Sequence, residues 1–520
     1  VEHIGNIEET VKFPELVFGI AGAVGIDIAE IDRTIAEALK AVGYHAVPIR
    51  ITTEIDSELT NEPKEKYSDL ESEITAKMNH ANAVCRKHQS ADTLMRFAIR
   101  AIQRHRASFA HNDKQGIAAE RVLPRTAYVI RQLKRPQEVD LLRRVYGKQF
   151  ILISAYGSIV DRKRTLETML KRSLPLNVSD VDISSKADGL MHRDQIEEDD
   201  KFGQNLRDTF HRADVFVDGI SKSAMEVMIK RFLSALFGKA DIAPSKTEYG
   251  MYAAKSASLR SSDLSRQIGA AIFSSDGEII TQGCNEVPKA FGGTYWDGEE
   301  PDYRDVKIGY DPNDIHRKEV VRDFLERLEL GGFLSEKATS LGSSANIVDA
   351  LTRKSDGEPK FDGEGVLAEA SVMDLTEYGR VVHAEMCAIC DAARLGKSVK
   401  GAVLYTTTFP CHNCTKHILA AGISRVVYIE PYPKSKAKIL HENEVELEKF
   451  SSTRVSFIPF IGISPVRYRD IFQKGKRKKG GLALTWMSEE PKPNMDIMAP
   501  TYVDNENYEL SKLVGKVESV

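Results

Sequence analysis

The chain has 520 residues, 42% of them hydrophobic and 28% charged, with a net charge of −4. That length exceeds a single core and suggests two domains. The charge balance excludes a global basic field for nucleic acid, and the sequence has no apolar run long enough to span a membrane. The opening Val1-Glu2-His3-Ile4-Gly5 does not pair a basic stretch with an apolar one, so no signal peptide is expected. Of six cysteines, Cys387, Cys390, Cys411 and Cys414 cluster, while Cys85 and Cys284 stand apart. This pattern suits metal and core use in a reducing cytoplasm better than a disulfide framework.

In chain order, Leu16–Ile20 reads as a buried strand leading into the glycine turn Ala21–Asp27. Ile28, Ile31, Ile35, Leu39 and Val42 then recur at helical spacing, and Val47, Ile49 and Ile51 alternate as a second strand would. Strand, turn, helix and strand make a βαβ unit of a parallel sheet. Gly22 and Gly25 are candidate nucleotide-binding residues, because helix N-terminal amides there can face a phosphate. A phosphate loop also needs Gly-Lys-Ser/Thr, and aligned on Gly22 those positions hold Asp27, Ile28 and Ala29. The expectation is a kinase-like scaffold without ordinary kinase catalysis; the plainer reading is a turn that only packs strand on helix.

Phe150–Tyr156 and Ala213–Val217 read as further strands, and Ser221–Phe237 as a helix. Asp161–Arg164 reads as a solvated helix start or a phosphate-facing lid. Glu54–Lys66 and the acidic stretch Lys186–Lys201 read as loops, and Gly238–Ser245 as a domain boundary. Tyr249–Leu259 is helical. Ile268–Phe273 and Glu278–Thr281 flank Ser274-Ser275-Asp276-Gly277, a hairpin signal. A long insertion follows, about 292–379, with a helix near Ile315–Leu330; a lid or an assembly surface suits it. The organisation expected is 1–240, 241–488 and a tail, 489–520, that is partly disordered.

The chemistry concentrates in His383-Ala384-Glu385 and Pro410-Cys411-His412-Asn413-Cys414. H-x-E with P-C-x-x-C is the zinc nucleobase-deaminase pattern, with three ligands, an open fourth position and a Glu free to move protons. His383, Cys411 and Cys414 are the expected ligands of Zn2+ and Glu385 the expected acid/base. Cys411 and Cys414 share a helix face, and a helix N-terminus favours thiolates. The alternative is a closed structural site with Cys387, one turn after His383, as fourth ligand.

These residues resemble the zinc-dependent deoxycytidylate deaminases over Ala254–Pro433, the insertion apart. The resemblance rests on Arg260-Ser261-Ser262-Asp263, Gln267–Ala270, Gly283-Cys284-Asn285-Glu286-Val287-Pro288, the zinc motif and Ala420–Tyr428. It implies a C-terminal cytidine-deaminase-like α/β/α domain and gives Asn285 contact with the sugar or base of the nucleotide. Arg260 is a candidate substrate residue, as are Lys434 and Lys436 for phosphate. Cys387 departs from the polar residue common at that position. A degenerate P-loop kinase-like domain ahead of such a deaminase resembles the bacterial anti-phage deaminases of the AvcD or DcdV type. That resemblance implies deamination of dCTP and dCMP, depletion of the dCTP pool during infection, an inhibitory small RNA and homo-oligomers, often hexamers. A regulatory nucleotide on the N-terminal domain would fit the same layout. The alternatives are a housekeeping dCMP deaminase serving dTTP synthesis, or a bifunctional kinase–deaminase. The basic run Lys474–Lys479 suits phosphates, the inhibitory RNA or solvent.

Overall fold

The computed structural model describes residues 12–56, 58, 67–109, 122–175, 177–197, 200–353, 365–487, 490–495 and 501–514. The chain divides into two compact units, Val1–Glu248 with Ile461–Val520, and Tyr249–Phe460. Both are α/β.

In the first unit β1 (Leu16–Gly22) is buried throughout, as a strand covered on both faces must be. Helix α1 (Ile28–Lys40) follows, capped by Asp27, which accepts the Glu30 N–H at 3.0 Å. Ile28, Ile31, Ile35 and Leu39 turn into the core. β2 (His45–Ile49) comes next. Ile51 lies beyond it, at the start of a short helix, so the predicted second strand ends two residues early. Helix α2 (Thr93–Ser108), β3 (Thr126–Arg131) and β4 (Phe150–Tyr156) continue the unit. Asp161–Arg164 lies in the helix Ile159–Ser173, which Ser158 caps.

Most of the acidic stretch predicted as a loop is instead helical, α3 (Asp180–Gln195). Its charges masked the buried series Ile183, Ala187, Leu190 and Met191, and Ser179 caps its start. Residues 198–199 of that stretch, and most of 54–66, lie outside the described residues. β5 (Val215–Asp218) and α4 (Lys222–Leu236) complete the layer. The five strands run parallel in the order β2-β3-β1-β4-β5, and the short strand Gly462–Ile463 pairs antiparallel on the outer edge of β5. β1 is therefore central, and its C-terminal turn opens at the end of the sheet where ligands of such folds bind.

The second unit begins past the predicted boundary. Glu248 accepts from Arg231 at 2.7 and 2.8 Å, which ties the first residues of α5 (Lys246–Ser258) to the first unit. β6 (Gly269–Phe273) and β7 (Ile279–Cys284) form the predicted hairpin, with Gly277 at φ +99° in its turn. The insertion carries α6 (Pro312–Leu330) and its own small core of Val321, Leu325, Ile347, Val348 and Met373; residues 354–364 lie outside the described residues. Helix α7 (Ala384–Arg394), β8 (Val403–Thr408), α8 (His412–Ala420), β9 (Arg425–Glu430), β10 (Val445–Leu447) and β11 (Val455–Pro459) follow. The sheet order is β10-β11-β9-β8-β6-β7; β6 pairs antiparallel with β7 and β8, and the other pairs are parallel. Helices α7 and α8 share a core with one face through Ala270, Ala384, Ala388, Leu404 and Ile418. On α5, Tyr249 meets Phe273 edge-on at 5.8 Å.

The second unit ends at Phe460, not at 488, and the chain returns to the first. Within the tail predicted as partly disordered, α9 (Tyr502–Val514) forms there, and residues 489, 496–500 and 515–520 lie outside the described residues. Arg106 of α2, fully buried, bridges Glu506 of α9 at 2.6 Å and Glu15 at 2.7 Å. The basic run Lys474–Lys479 is mostly exposed, its last two residues paired with Leu482–Ala483. Among the described residues no helix is long and apolar enough to cross a membrane.

Candidate active site

His383 stands at the N-cap of α7 in extended backbone (φ −65°, ψ 152°), and Cys411 holds the same place on α8 (φ −66°, ψ 166°). Both side chains therefore leave the first turn of a helix, and the two N-termini bring the pieces of the motif together. His383 Nδ1 lies 3.4 Å from the Sγ of both Cys411 and Cys414. All three donor atoms fall within 4.8 Å of one another. A tetrahedral zinc with bonds of about 2.3 Å to sulfur and about 2.0 Å to nitrogen would set such N···S edges near 3.5 Å, so spacing and donor chemistry both fit the metal.

Cys387 is not part of that group among the described residues. It is buried, donates its backbone N–H to His383 O at 2.8 Å, and packs beside Cys284. The donor group thus has three members, and Glu385 stands beside it. The Glu385 carboxylate is 4% exposed, with Oε2 3.3 Å from Cys414 Sγ. Burial, and then the negative charge of Cys411, push its carboxyl above the ordinary range. The donors themselves are polarised. The Cys414 thiol and the His383 ring pull Cys411 down to about 4, and Cys411 in turn lifts His383 to about 9. Cys411 is thus favoured as a thiolate, while its bond to Cys411 and then burial push the Cys414 thiol up; a metal held there would displace the protons of Cys414 and His383.

Two features hold the first turn of α7 in place. Asn285 Oδ1 accepts the Ala384 N–H at 2.9 Å, while Asn285 Nδ2 donates to Asp263 Oδ2 at 3.0 Å and Arg266 O at 3.4 Å. Both ends of the predicted substrate amide are thus engaged within the chain, beside the motif. Gly283, on β7, lets α7 approach: a Cβ there would lie 2.3 Å from Ala384 O and 2.5 Å from Ala388 N.

Arg260 is occupied elsewhere. Its Nη2 donates to Thr294 Oγ1 and to Tyr295 O at 3.1 Å, and its guanidinium lies 3.7 Å from the centre of the Trp296 ring. It braces the loop after Gly293. Beside the motif runs the segment of Tyr432, Lys434 and Ser435, and the Ser435 hydroxyl donates to Pro410 O at 2.8 Å. Tyr432 is raised by burial and then by the charges of Cys411 and Asp374, so it senses both. Asp263, Tyr432 and Asp374 were not singled out from sequence. Asp263 sat inside a recognised segment, whereas Asp374 lies in the insertion without any local signal.

Gly22 and Gly25 belong to the other unit. Gly25 has φ +92°, and a Cβ there would lie 2.6 Å from Arg162 O. The loop's Val24 N–H is donated to Asp194 Oδ2 at 2.7 Å. Lys134 Nζ donates to Asp194 Oδ1 at 2.6 Å and Gly22 O at 2.7 Å. A buried carboxylate from α3 thus occupies an amide that a phosphate loop would offer its anion. Ile26 fills adjacent space, within 2.7 Å of where a Cβ would stand on Gly157 or Gly219.

Residues 244–430 match the family model described as the cytidine and deoxycytidylate deaminase zinc-binding region. The deoxycytidylate deaminase of Enterobacteria phage T2 is 49% identical over 55 residues, 11% of this chain and 29% of that protein. The cytosine deaminase of Candida albicans (strain SC5314 / ATCC MYA-2876) is 38% identical over 84 residues, 16% of this chain and 56% of that protein. The chain thus spans less than a third of the phage enzyme and just over half of the fungal one. The crystal structure of dCMP deaminase from the cyanophage S-TIM5 in complex with dCMP and dUMP aligns with 17% identity, covering 42% of this chain and 99% of that one, at a TM-score of 0.22.

Proposed function

We propose that the chain is a zinc-dependent hydrolase that removes the C4 amino group of deoxycytidine nucleotides, dCMP and dCTP, giving deoxyuridine nucleotides. The observation that carries this reading is the three-donor group His383, Cys411 and Cys414 with a buried carboxylate, Glu385, beside it. A zinc ion held there would supply a hydroxide nucleophile near neutral pH. The work of the chain is proton handling. Glu385, its carboxyl raised by burial, takes a proton from the attacking water and delivers it to N3 of the ring, then takes the proton of the new C4 hydroxyl and passes it to the departing amine as the C4–N bond breaks. Asn285 and Gly283 keep the helix that bears Glu385 in register.

The match to a cytidine and deoxycytidylate deaminase region and the phage relative's name support a deoxycytidine nucleotide as substrate. In this reading dCTP depletion during phage infection is the role, carried out in the cytoplasm by a homo-oligomer, often a hexamer in the family it resembles, and held in check by a small RNA. The first unit acts as a kinase-like scaffold. Asp194 on the glycine loop speaks against phosphate binding and transfer there, so a regulatory nucleotide, if the unit senses one, binds it away from that amide. Chromatography of products from dCMP, dCTP, CTP and a single-stranded oligonucleotide, with and without a zinc chelator, tests the reading. Chelator-sensitive dUMP and dUTP are expected. Conversion of dCMP alone would favour a housekeeping enzyme of dTTP synthesis, and faster conversion of the oligonucleotide would overturn the substrate class.

A further inference from the structure

The insertion meets the segment that follows β9 through a charged pair. Lys434 Nζ lies 2.6 Å from Asp374 Oδ1, with the lysine side chain 50% exposed and the aspartate 37%. Lys434 sits on the segment that Ser435 pins to Pro410, the residue before Cys411, which sets that stretch of backbone beside the motif. Tyr432, two residues earlier, senses the charges of both Cys411 and Asp374.

Asp374 is held there on purpose-built support. Asn313 of α6 donates to Leu375 O at 2.9 Å, and Arg317 of α6 donates to Met373 O, so the residues on both sides of Asp374 are tied to one helix. Met373 belongs to the insertion's own apolar core. A second cation near Tyr432, Arg266, differs. It is paired with Glu430, on β9, and lies 5.7 Å from the Tyr432 ring. Glu430 is part of the sheet itself, its carbonyl accepting the Phe409 N–H at 2.8 Å. Of these two cations, then, Arg266 has a partner fixed in the central sheet, and Lys434 has one carried by the insertion.

We infer that Lys434 is a specificity-determining residue for the phosphate of the substrate, and that Asp374 of the insertion is an internal competitor for it. The inference rests on the nucleotide reading above. An exposed carboxylate–ammonium pair is weak, and a phosphate brings more charge and more acceptor oxygens to the same ammonium. A substrate phosphate therefore replaces Asp374 at Lys434, while a nucleoside without phosphate leaves the pair intact. The insertion thereby sets how strongly phosphorylated substrates are preferred.

The test compares kcat/KM for dCTP with kcat/KM for deoxycytidine in the full chain, as a ratio. Lys434→Ala lowers the ratio about tenfold, the loss expected for one charge-assisted bond. Asp374→Asn raises it, by about threefold, because an exposed competing pair is weak. The double variant follows Lys434→Ala. A purely structural tie between insertion and sheet would move both single variants the same way. A shared direction, or a change under twofold in both, overturns the inference while the nucleotide reading stands. A wild-type chain that deaminates no cytosine nucleotide overturns both.

Discussion

Gly283→Ala places a methyl group where the structure has no room for it. The new Cβ would lie 2.3 Å from Ala384 O and 2.5 Å from Ala388 N, both backbone atoms of α7. Ordinary contacts of this kind need about 3.4 Å, so β7 and α7 must separate by about 1 Å, and no side chain can give way instead. Overpacking of this sort costs about 1–3 kcal/mol, and the rigid partners put this case near the upper end. A second effect falls on activity. His383 and Glu385 sit on the first turn of the helix that moves, and a misplacement of about 1 Å costs on the order of 100-fold in rate. The assay is a thermal melt, zinc content by mass spectrometry and kcat/KM for dCMP on the same preparation. A folded variant with lowered Tm and about 100-fold lower kcat/KM is expected. Gly283→Ala with the wild-type Tm and activity within twofold would refute the claim that this approach positions the motif.

Three further outcomes follow from the same structure. Cys387→Ser should keep wild-type zinc stoichiometry, because its sulfur lies outside the donor group; loss of zinc by mass spectrometry would make Cys387 a ligand. Glu506 shares Arg106 with Glu15 in a buried cluster, and burial raises its carboxyl. A raised folded value stabilises below the unfolded value of about 4.3 and loses that contribution as pH rises through the folded one. Urea unfolding of the wild type should thus weaken across that window, and Glu506→Gln should remove that part of the slope. Asp194→Ala strands the Lys134 ammonium and should cost about 3 kcal/mol in the same urea assay; an unchanged midpoint would show that the carboxylate is not holding the loop.

The site was far more legible in the sequence than the architecture around it. His383, Glu385, Cys411 and Cys414 announce themselves because metal chemistry restricts residue type and spacing together. The hairpin around Asp276-Gly277 was equally plain, because its turn demands that dipeptide chemistry. Helix α3 was hidden because acidic residues are as many as the four apolar ones that bury it. The return of the chain to the first unit was hidden for another reason. Arg106, Glu15 and Glu506 pair across the sequence, and no local pattern encodes a contact between residues 106 and 506. Asn285 was singled out by resemblance as a substrate contact, and the structure has its amide bonded to Ala384 and Asp263. Asp194 could be placed on the glycine loop only once α3 was folded.

In the proposed reaction Glu385 is the group that moves protons at a three-donor metal site. The most direct measurement is deamination of dCMP and dCTP by Glu385→Gln, with zinc content determined on the same sample. Retained zinc and a rate lowered by about 10²–10⁴ are expected. Activity near that of the wild type would contradict that role for Glu385.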